Sequence, residues 1–360
     1  MSSADLFQPL EFHHGKAMNN RLMLAPLTNQ QSHADGLLSD EEHHWLAMRA
    51  AGGYGLVMTA AAHVQANGQG FPGQLGIFGD QHLPALTRLA DDLRQKGALS
   101  AVQLHHAGYR APANLVNDIV SPSGDADSGA RALSLDEVYQ LRDDFIAAAL
   151  RAEQAGFDGV EVHGAHGYIL SAFLSPELNR RDDEYGGTAE NRARLLLEIL
   201  DGIRQSCDPD FQLGVRLSPE RFGQNLAEVV ALTQSICATE RVDYVDMSLW
   251  DVRKRPIDAA EDDSRLLLHH FTEIPRGKVR LGAAGKIMNG QTARWLLDQG
   301  CDFALLGRAA IIEHDFPQKL QNNVDHAAPA LPVTSGHLTA QGVSPKFQSY
   351  LSGWPNFIQD

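Results

Sequence analysis

The sequence predicts an α/β protein of one domain, a (β/α)8 TIM barrel with long strand-to-helix loops and a C-terminal tail. Two features carry that prediction. About eight short apolar runs alternate with longer amphipathic segments along nearly the whole chain, the pattern of a parallel sheet with crossover helices, and eight strands close a barrel. Polar side chains capable of chemistry gather where those runs end, which is where barrels build their sites. Doubly wound sheets share the alternation, so the number of runs decides between the two folds.

The strand candidates are residues 22–25, 55–59, 100–104, 159–163, 212–217, 244–248, 279–283 and 303–306. Between them, Ser39 with Glu42 and Ser134 with Glu137 have the spacing of capping boxes, in which hydroxyl and carboxylate each satisfy a free backbone N–H. Gly52 and Gly156 supply stop signals, the latter after Val138, Leu141, Phe145 and Ala149, whose spacing marks a buried helical stripe. Two long loops, 67–80 and 107–133, follow the second and third strands and suggest substrate contacts. The expected division is a barrel over 1–317 and a tail over 318–360. Tyr350, Trp354 and Phe357 make that tail too apolar to float in water, so it packs on its own barrel or on a partner subunit, and a homo-oligomer stays open.

Composition excludes several classes. With 43% hydrophobic and 21% charged residues among 360, the chain has the balance of a globular protein with a large core. It has no apolar run of the ~18 residues that suggest a membrane span. The N-terminal stretch has no basic region leading into an apolar one, so a cytoplasmic location is the expectation. The three cysteines, Cys207, Cys237 and Cys301, are too scattered for a disulfide framework or a CxxC metal site and read as buried small hydrophobes. A formal charge of −15 opposes binding to nucleic acid or an anionic membrane, although a local basic pocket could still hold a phosphate.

The richest segment runs from Val160 to Arg192, where an apolar strand leads directly into His163, His166 and Tyr168. Three polar rings at one strand end point to a site. The histidines could instead be structural or bind a metal, but no third ligand stands at a family-like spacing. The seventh and eighth strands are each followed by glycine, and Gly285, Gly307 and Arg308 suit a phosphorylated ligand, with ordinary tight turns as the alternative. Arg216, in "LGVRLSP", would be costly to bury without an anionic partner, and Gln103 sits similarly on the third strand. The "GQGFPG" at 68–73 matches a dinucleotide fingerprint, but no helix follows Pro72 to aim at a pyrophosphate, so it reads as a loop.

From about Asn20 to Ala310 the chain resembles the Old Yellow Enzyme family of FMN-dependent ene-reductases. "HGAHGY" continuing into "FLSP", "NRR" and "YGG" carries the resemblance, with "NRLMLAPLTN", "VQLHHAG", "VRLSP" and "LLGR" in family order around it. The resemblance implies bound FMN, NADPH or NADH as co-substrate, and a small enone, maleimide or nitro compound reduced at its C=C bond in a ping-pong cycle. It implies that the backbone at Pro26 and Ala61 and the Thr28 hydroxyl border the flavin, with Thr28 bonded to the carbonyl beside N5. Gln103 would bind the pyrimidine edge, Arg216 would sit by N1 and O2, and Gly285, Gly307 and Arg308 would hold the phosphate.

On the same basis His163 and His166 would donate hydrogen bonds to the substrate's carbonyl or nitro oxygen, and Tyr168 would protonate the α-carbon. His105 and Trp250 would face the substrate, with Arg253 near the mouth. Ala60 stands where many relatives carry an acid. Two imidazoles as donors suggest pH-dependent binding. Dienoyl-reductase-like relatives need an iron–sulfur cysteine cluster and further domains, and neither is in this chain. A flavin-binding sensor without turnover and a metal-dependent barrel hydrolase are the readings from other classes.

Overall fold

The computed structural model describes residues 5–359; residues 1–4 and 360, inside the expected bounds of barrel and tail, lie outside the described residues. Eight parallel strands close a barrel: β1 (Leu22–Leu24), β2 (Leu56–His63), β3 (Leu99–His105), β4 (Gly159–Gly164), β5 (Gln212–Leu217), β6 (Tyr244–Ser248), β7 (Arg280–Ala284) and β8 (Phe303–Leu306). Each strand pairs with its neighbours in sequence, and β1 pairs with β8. The eight-stranded barrel expected from the sequence is therefore the fold. The main departure is β2, which continues past its expected end at Thr59 through three alanines to His63. A register shift between Met58 and Ala61 lets the longer strand keep pairing with β3.

Strand side chains alternate between the barrel interior and the surrounding helices. In the lower half of the interior, Met23, Met58, Leu99, Tyr244, Phe303 and Leu305 form a buried apolar cluster. The antiparallel contact of Leu10 with Met18 brings Leu10 and Phe12 into the same cluster and closes that end. Large rings fit because glycine stands opposite them. A Cβ on Gly214 would lie 2.1 Å from a Tyr244 ring carbon, and one on Gly282 would lie 2.1 Å from a Phe303 ring carbon. The two rings meet edge to face at 5.7 Å.

The Ser134–Glu137 capping box forms in full, whereas Ser39 makes only half of one. Ser39 Oγ accepts from the Glu42 amide, but the Glu42 carboxylate is buried and instead accepts from Asn29 Nδ2 and Ser32 Oγ. Burial pushes that carboxyl's pKa upward. Its two bonds tie the loop after β1, which carries Thr28, to the helix Asp40–Ala51. That helix is held in turn by fully buried Arg49, whose guanidinium donates to the carbonyls of Trp45, Ala310 and Ile311. The tail lies across this region, with Phe347 edge-on to Trp45 at 5.6 Å. The three cysteines are buried and free, as expected. Among the described residues no helix is long and apolar enough to cross a membrane.

Gly214→Ala is expected to destabilise the fold by about 1–3 kcal/mol through overpacking against Tyr244. Gly336→Ala, where a Cβ meets only Thr334 at 4.0 Å, should change little. Chemical denaturation of both variants checks this, and equal stability of the two would overturn the account of the lower barrel.

Candidate active site

Parallel register assembles the upper interior. Gln103 pairs with Glu161, His163 with Arg216, and Arg216 with Asp246 across four adjacent strands. Above them opens a cavity of about 310 Å³ at the carboxyl ends of the strands, within the size range of small-molecule sites. Pro26, Thr28, Ala61, Gln103, His163, His166, Tyr168, Arg216, Trp250, Gly285, Gly307 and Arg308 all line it. His105 does not. It is fully buried, with the Tyr168 ring 4.2 Å and the His163 ring 5.4 Å from its own, and Gln74 Nε2 lies 3.0 Å from its Nδ1. The alternation that makes Gln103 face inward does the same for His105, but Tyr168 lies over it. Arg253, expected near the mouth, stacks instead on Trp295 at 4.0 Å.

Arg216 is buried, and its Nε lies 2.8 Å from Asp246 Oδ2. Gln103 Nε2 donates to Glu161 Oε1 at 2.8 Å, which leaves the Gln103 carbonyl oxygen to the cavity. Glu161 Oε2 has no partner among the described residues. Two carboxyls thus share one guanidinium in a dry interior, and burial pushes both upward. The Asp246 charge pushes Glu161 further, while Arg216 draws Asp246 back. Asp246 is the carboxylate that faces Arg216 directly, and Glu161 is the carboxyl pushed upward the more strongly of the two.

The imidazoles form a chain whose tautomers follow from its first link. His163 Nδ1 accepts from the Ala165 amide at 3.1 Å, so its proton is on Nε2, 3.2 Å from His166 Nδ1. His166 must then carry its proton on Nε2, which lies 2.7 Å from Ser248 Oγ. Ser248 was not singled out in the sequence. Burial, the neighbouring ring and the Arg216 and Arg110 charges hold the His163 pKa far below the usual imidazole range. Burial, again with the two arginines, does the same to His166. The pH dependence expected from these rings therefore has no source near neutrality. The Tyr168 hydroxyl has no partner among the described residues, and burial raises its pKa, so the phenol stays protonated.

Gly285 is required sterically, since a Cβ there would lie 2.7 Å from the Asp251 amide nitrogen. Beside it, Gly307 and Arg308 begin the short helix Arg308–Ile312, with the guanidinium 5.6 Å from the centre of the Trp354 ring. Phe71, Tyr350 and Trp354 also line the cavity, from a loop and the tail. His166, Arg221, Phe222, Trp250 and Lys286 all have positive φ at this end of the barrel. Backbone strain of that kind concentrates at functional sites.

These groups suit a planar redox ring better than a metal. Among the described residues no three His, Cys, Asp or Glu are placed to hold a metal ion. The open carbonyl of Gln103 can accept from a pyrimidine N–H, the Arg216 guanidinium could offset the negative charge that such a ring gains on reduction, and Arg308 with its glycines suits a phosphate. Fold and site together define a flavin-dependent barrel oxidoreductase. The model of the NADH:flavin oxidoreductase / NADH oxidase family matches residues 5–327. A protein of Bacillus subtilis described as a probable NADH-dependent flavin oxidoreductase is 35% identical, over 88% of this chain and 87% of its own. An NADPH dehydrogenase of the same organism is 30% identical over 90% of this chain and 96% of its own. Among solved structures, the old yellow enzyme homologue of Zymomonas mobilis superposes with a TM-score of 0.80 at 27% identity, covering 95% of this chain and 99% of its own. Morphinone reductase superposes at 0.79 with 26% identity, covering 94% and 93%.

The chain belongs to this family, the Old Yellow Enzymes. It is an NAD(P)H-dependent flavin oxidoreductase with FMN as cofactor.

Because both cavity imidazoles are held neutral, nitrogen NMR of the labelled protein is expected to show neither ring titrating between about pH 8 and 6.5. The folded-state values are depressed, so charging, and the loss of stability it brings, sets in only as pH falls below the ordinary imidazole value. A midpoint near neutrality for either ring would contradict the burial account.

Proposed function

We propose that this enzyme reduces activated C=C bonds of α,β-unsaturated carbonyl or nitro compounds, such as enones and maleimides, in a ping-pong cycle. Bound FMN, reduced by NADH or NADPH, supplies the hydride that adds to the β-carbon. The observation that carries the reading is the Tyr168 hydroxyl, protonated and unpartnered, in the same cavity as two neutral imidazoles. A site that only bound flavin would have no use for that proton donor.

In this reading Arg216 and Gln103 hold the pyrimidine edge, and the Thr28 hydroxyl bonds the carbonyl beside N5. The backbone at Pro26 and Ala61 borders the ring, and Gly285, Gly307 and Arg308 hold the phosphate. His163 and His166 bind the substrate oxygen, although in the resting chain both of their N–H groups face protein atoms. Ser248 resolves this, because a hydroxyl can accept or donate. When Ser248 donates to His166 Nε2, the imidazole proton moves to Nδ1. His163 Nε2–H and His166 Nδ1–H, whose nitrogens are 3.2 Å apart, can then converge on one oxygen, draw charge from the alkene and make its far carbon electrophilic. Tyr168 gives its proton to the α-carbon. His105, edge-on to both Tyr168 and His163, fixes the angle of those rings. Trp250, half-exposed at 52%, borders the substrate entrance.

Tyr168→Phe is expected to slow reoxidation of the reduced enzyme by cyclohexenone about 10²- to 10⁴-fold while leaving reduction by NADH or NADPH nearly intact in stopped-flow measurements. Equal losses in the two half-reactions would remove the proton-donor assignment. Ser248→Ala is expected to weaken binding of a phenolic ligand, read from its long-wavelength charge-transfer band, by about tenfold. An unchanged titration would exclude the tautomer change. A colourless protein that takes up no FMN would end the reading as a whole.

A further inference from the structure

The cavity is lined by Arg216, Lys286 and Arg308 and by no aspartate or glutamate, in a chain where acidic residues outnumber basic ones 45 to 30. Two more guanidinium groups stand at its rim. Arg110 lies over the Tyr168 ring at 5.2 Å and over the Phe222 ring at 5.5 Å. Arg221 lies over the Trp250 ring at 5.0 Å. Both are exposed, and neither meets a carboxylate among the described residues. Among the other exposed arginines, Arg88, Arg94, Arg131 and Arg265 each pair with one, whereas Arg180, Arg253 and Arg255 meet none among the described residues. Arg110 and Arg221 differ in that Tyr168 and Trp250, the rings they lie over, line the cavity. The flavin reading employs Arg216 and Arg308, and Lys286 pairs with Asp251 at 3.0 Å. Arg110 and Arg221 are left without a task.

We propose that the natural alkene substrate carries a carboxylate of its own, remote from the oxygen held by the two imidazoles, and that Arg110 and Arg221 receive it. The inference rests on the ene-reductase reading and adds the substrate's charge to it. Three properties support the assignment. The guanidinium fork matches a carboxylate with two parallel hydrogen bonds. The aromatic faces of Tyr168, Phe222 and Trp250 restrict both side chains, so less freedom is lost when an anion arrives. Positive groups around a mouth with low-dielectric walls also raise the local concentration of anions despite the negative net charge.

The test uses the FMN-loaded enzyme, reduced and mixed in stopped flow with N-ethylmaleimide or N-carboxymethylmaleimide, which share one alkene and differ by a carboxylate. The wild type is expected to bind the carboxylated compound about tenfold more tightly at low salt and to lose most of that preference at about 0.5 M NaCl. The preference is expected to vanish in Arg110→Gln/Arg221→Gln and largely to survive in Arg110→Lys/Arg221→Lys. No preference in the wild type, a preference that survives the glutamine pair, or an equal loss for both maleimides would overturn the proposal. So would a loss confined to reduction by NADH or NADPH, which would assign the arginines to the pyrophosphate of the nicotinamide. A wild type that reduces neither maleimide would sink the ene-reductase reading, and this inference with it.

Discussion

The upper half of the barrel is organised around one buried cation. Arg216 sits on β5 between His163 on β4 and Asp246 on β6, in surroundings where an unpaired guanidinium would be costly. Asp246 provides the countercharge. Glu161 takes up the second carboxyl position, bonded to Gln103 and short of a partner on its other oxygen. The same cation lowers the proton affinity of both cavity imidazoles. Burial does most to set the protonation of these groups, and this one charge adds to it for the imidazoles, offsets it for the carboxyls and keeps the site receptive to negative charge.

Much of this was legible in the sequence because the fold leaves little freedom. In a parallel barrel, residues at equivalent strand ends must converge, so Gln103, His163 and Arg216 could be gathered from three separate motifs. Both the closed order and most strand bounds followed from apolar runs and punctuation. Residue pairs whose partner depends on a side-chain rotation were not legible. Glu42 has the spacing of a cap but turns inward to Asn29 and Ser32. His105 points to the correct side of the sheet, yet Tyr168 covers it. Ser248 is one polar residue among several at a strand end, and only its distance to His166 sets it apart.

Phe71, Tyr350 and Trp354 illustrate a different limit. They reach the cavity from a loop and from the tail, where Tyr350 stands on the helix Pro345–Leu351, whose 7 residues are too few to show a clear period in the sequence. Tyr350, Trp354 and Phe357 marked the tail as needing cover, and Phe347 of the same segment lies against Trp45 of the barrel.

The N-terminal turn that brings Leu10 and Phe12 beneath the barrel, together with the rings of Tyr244 and Phe303, fills the axis below Arg216. The molecule is thus a cup rather than a tube. The cavity above that floor opens at the carboxyl ends of the strands, with Trp250 half-exposed in its lining. The filled floor confines chemistry to the strands' carboxyl end and leaves the opposite end to stability alone.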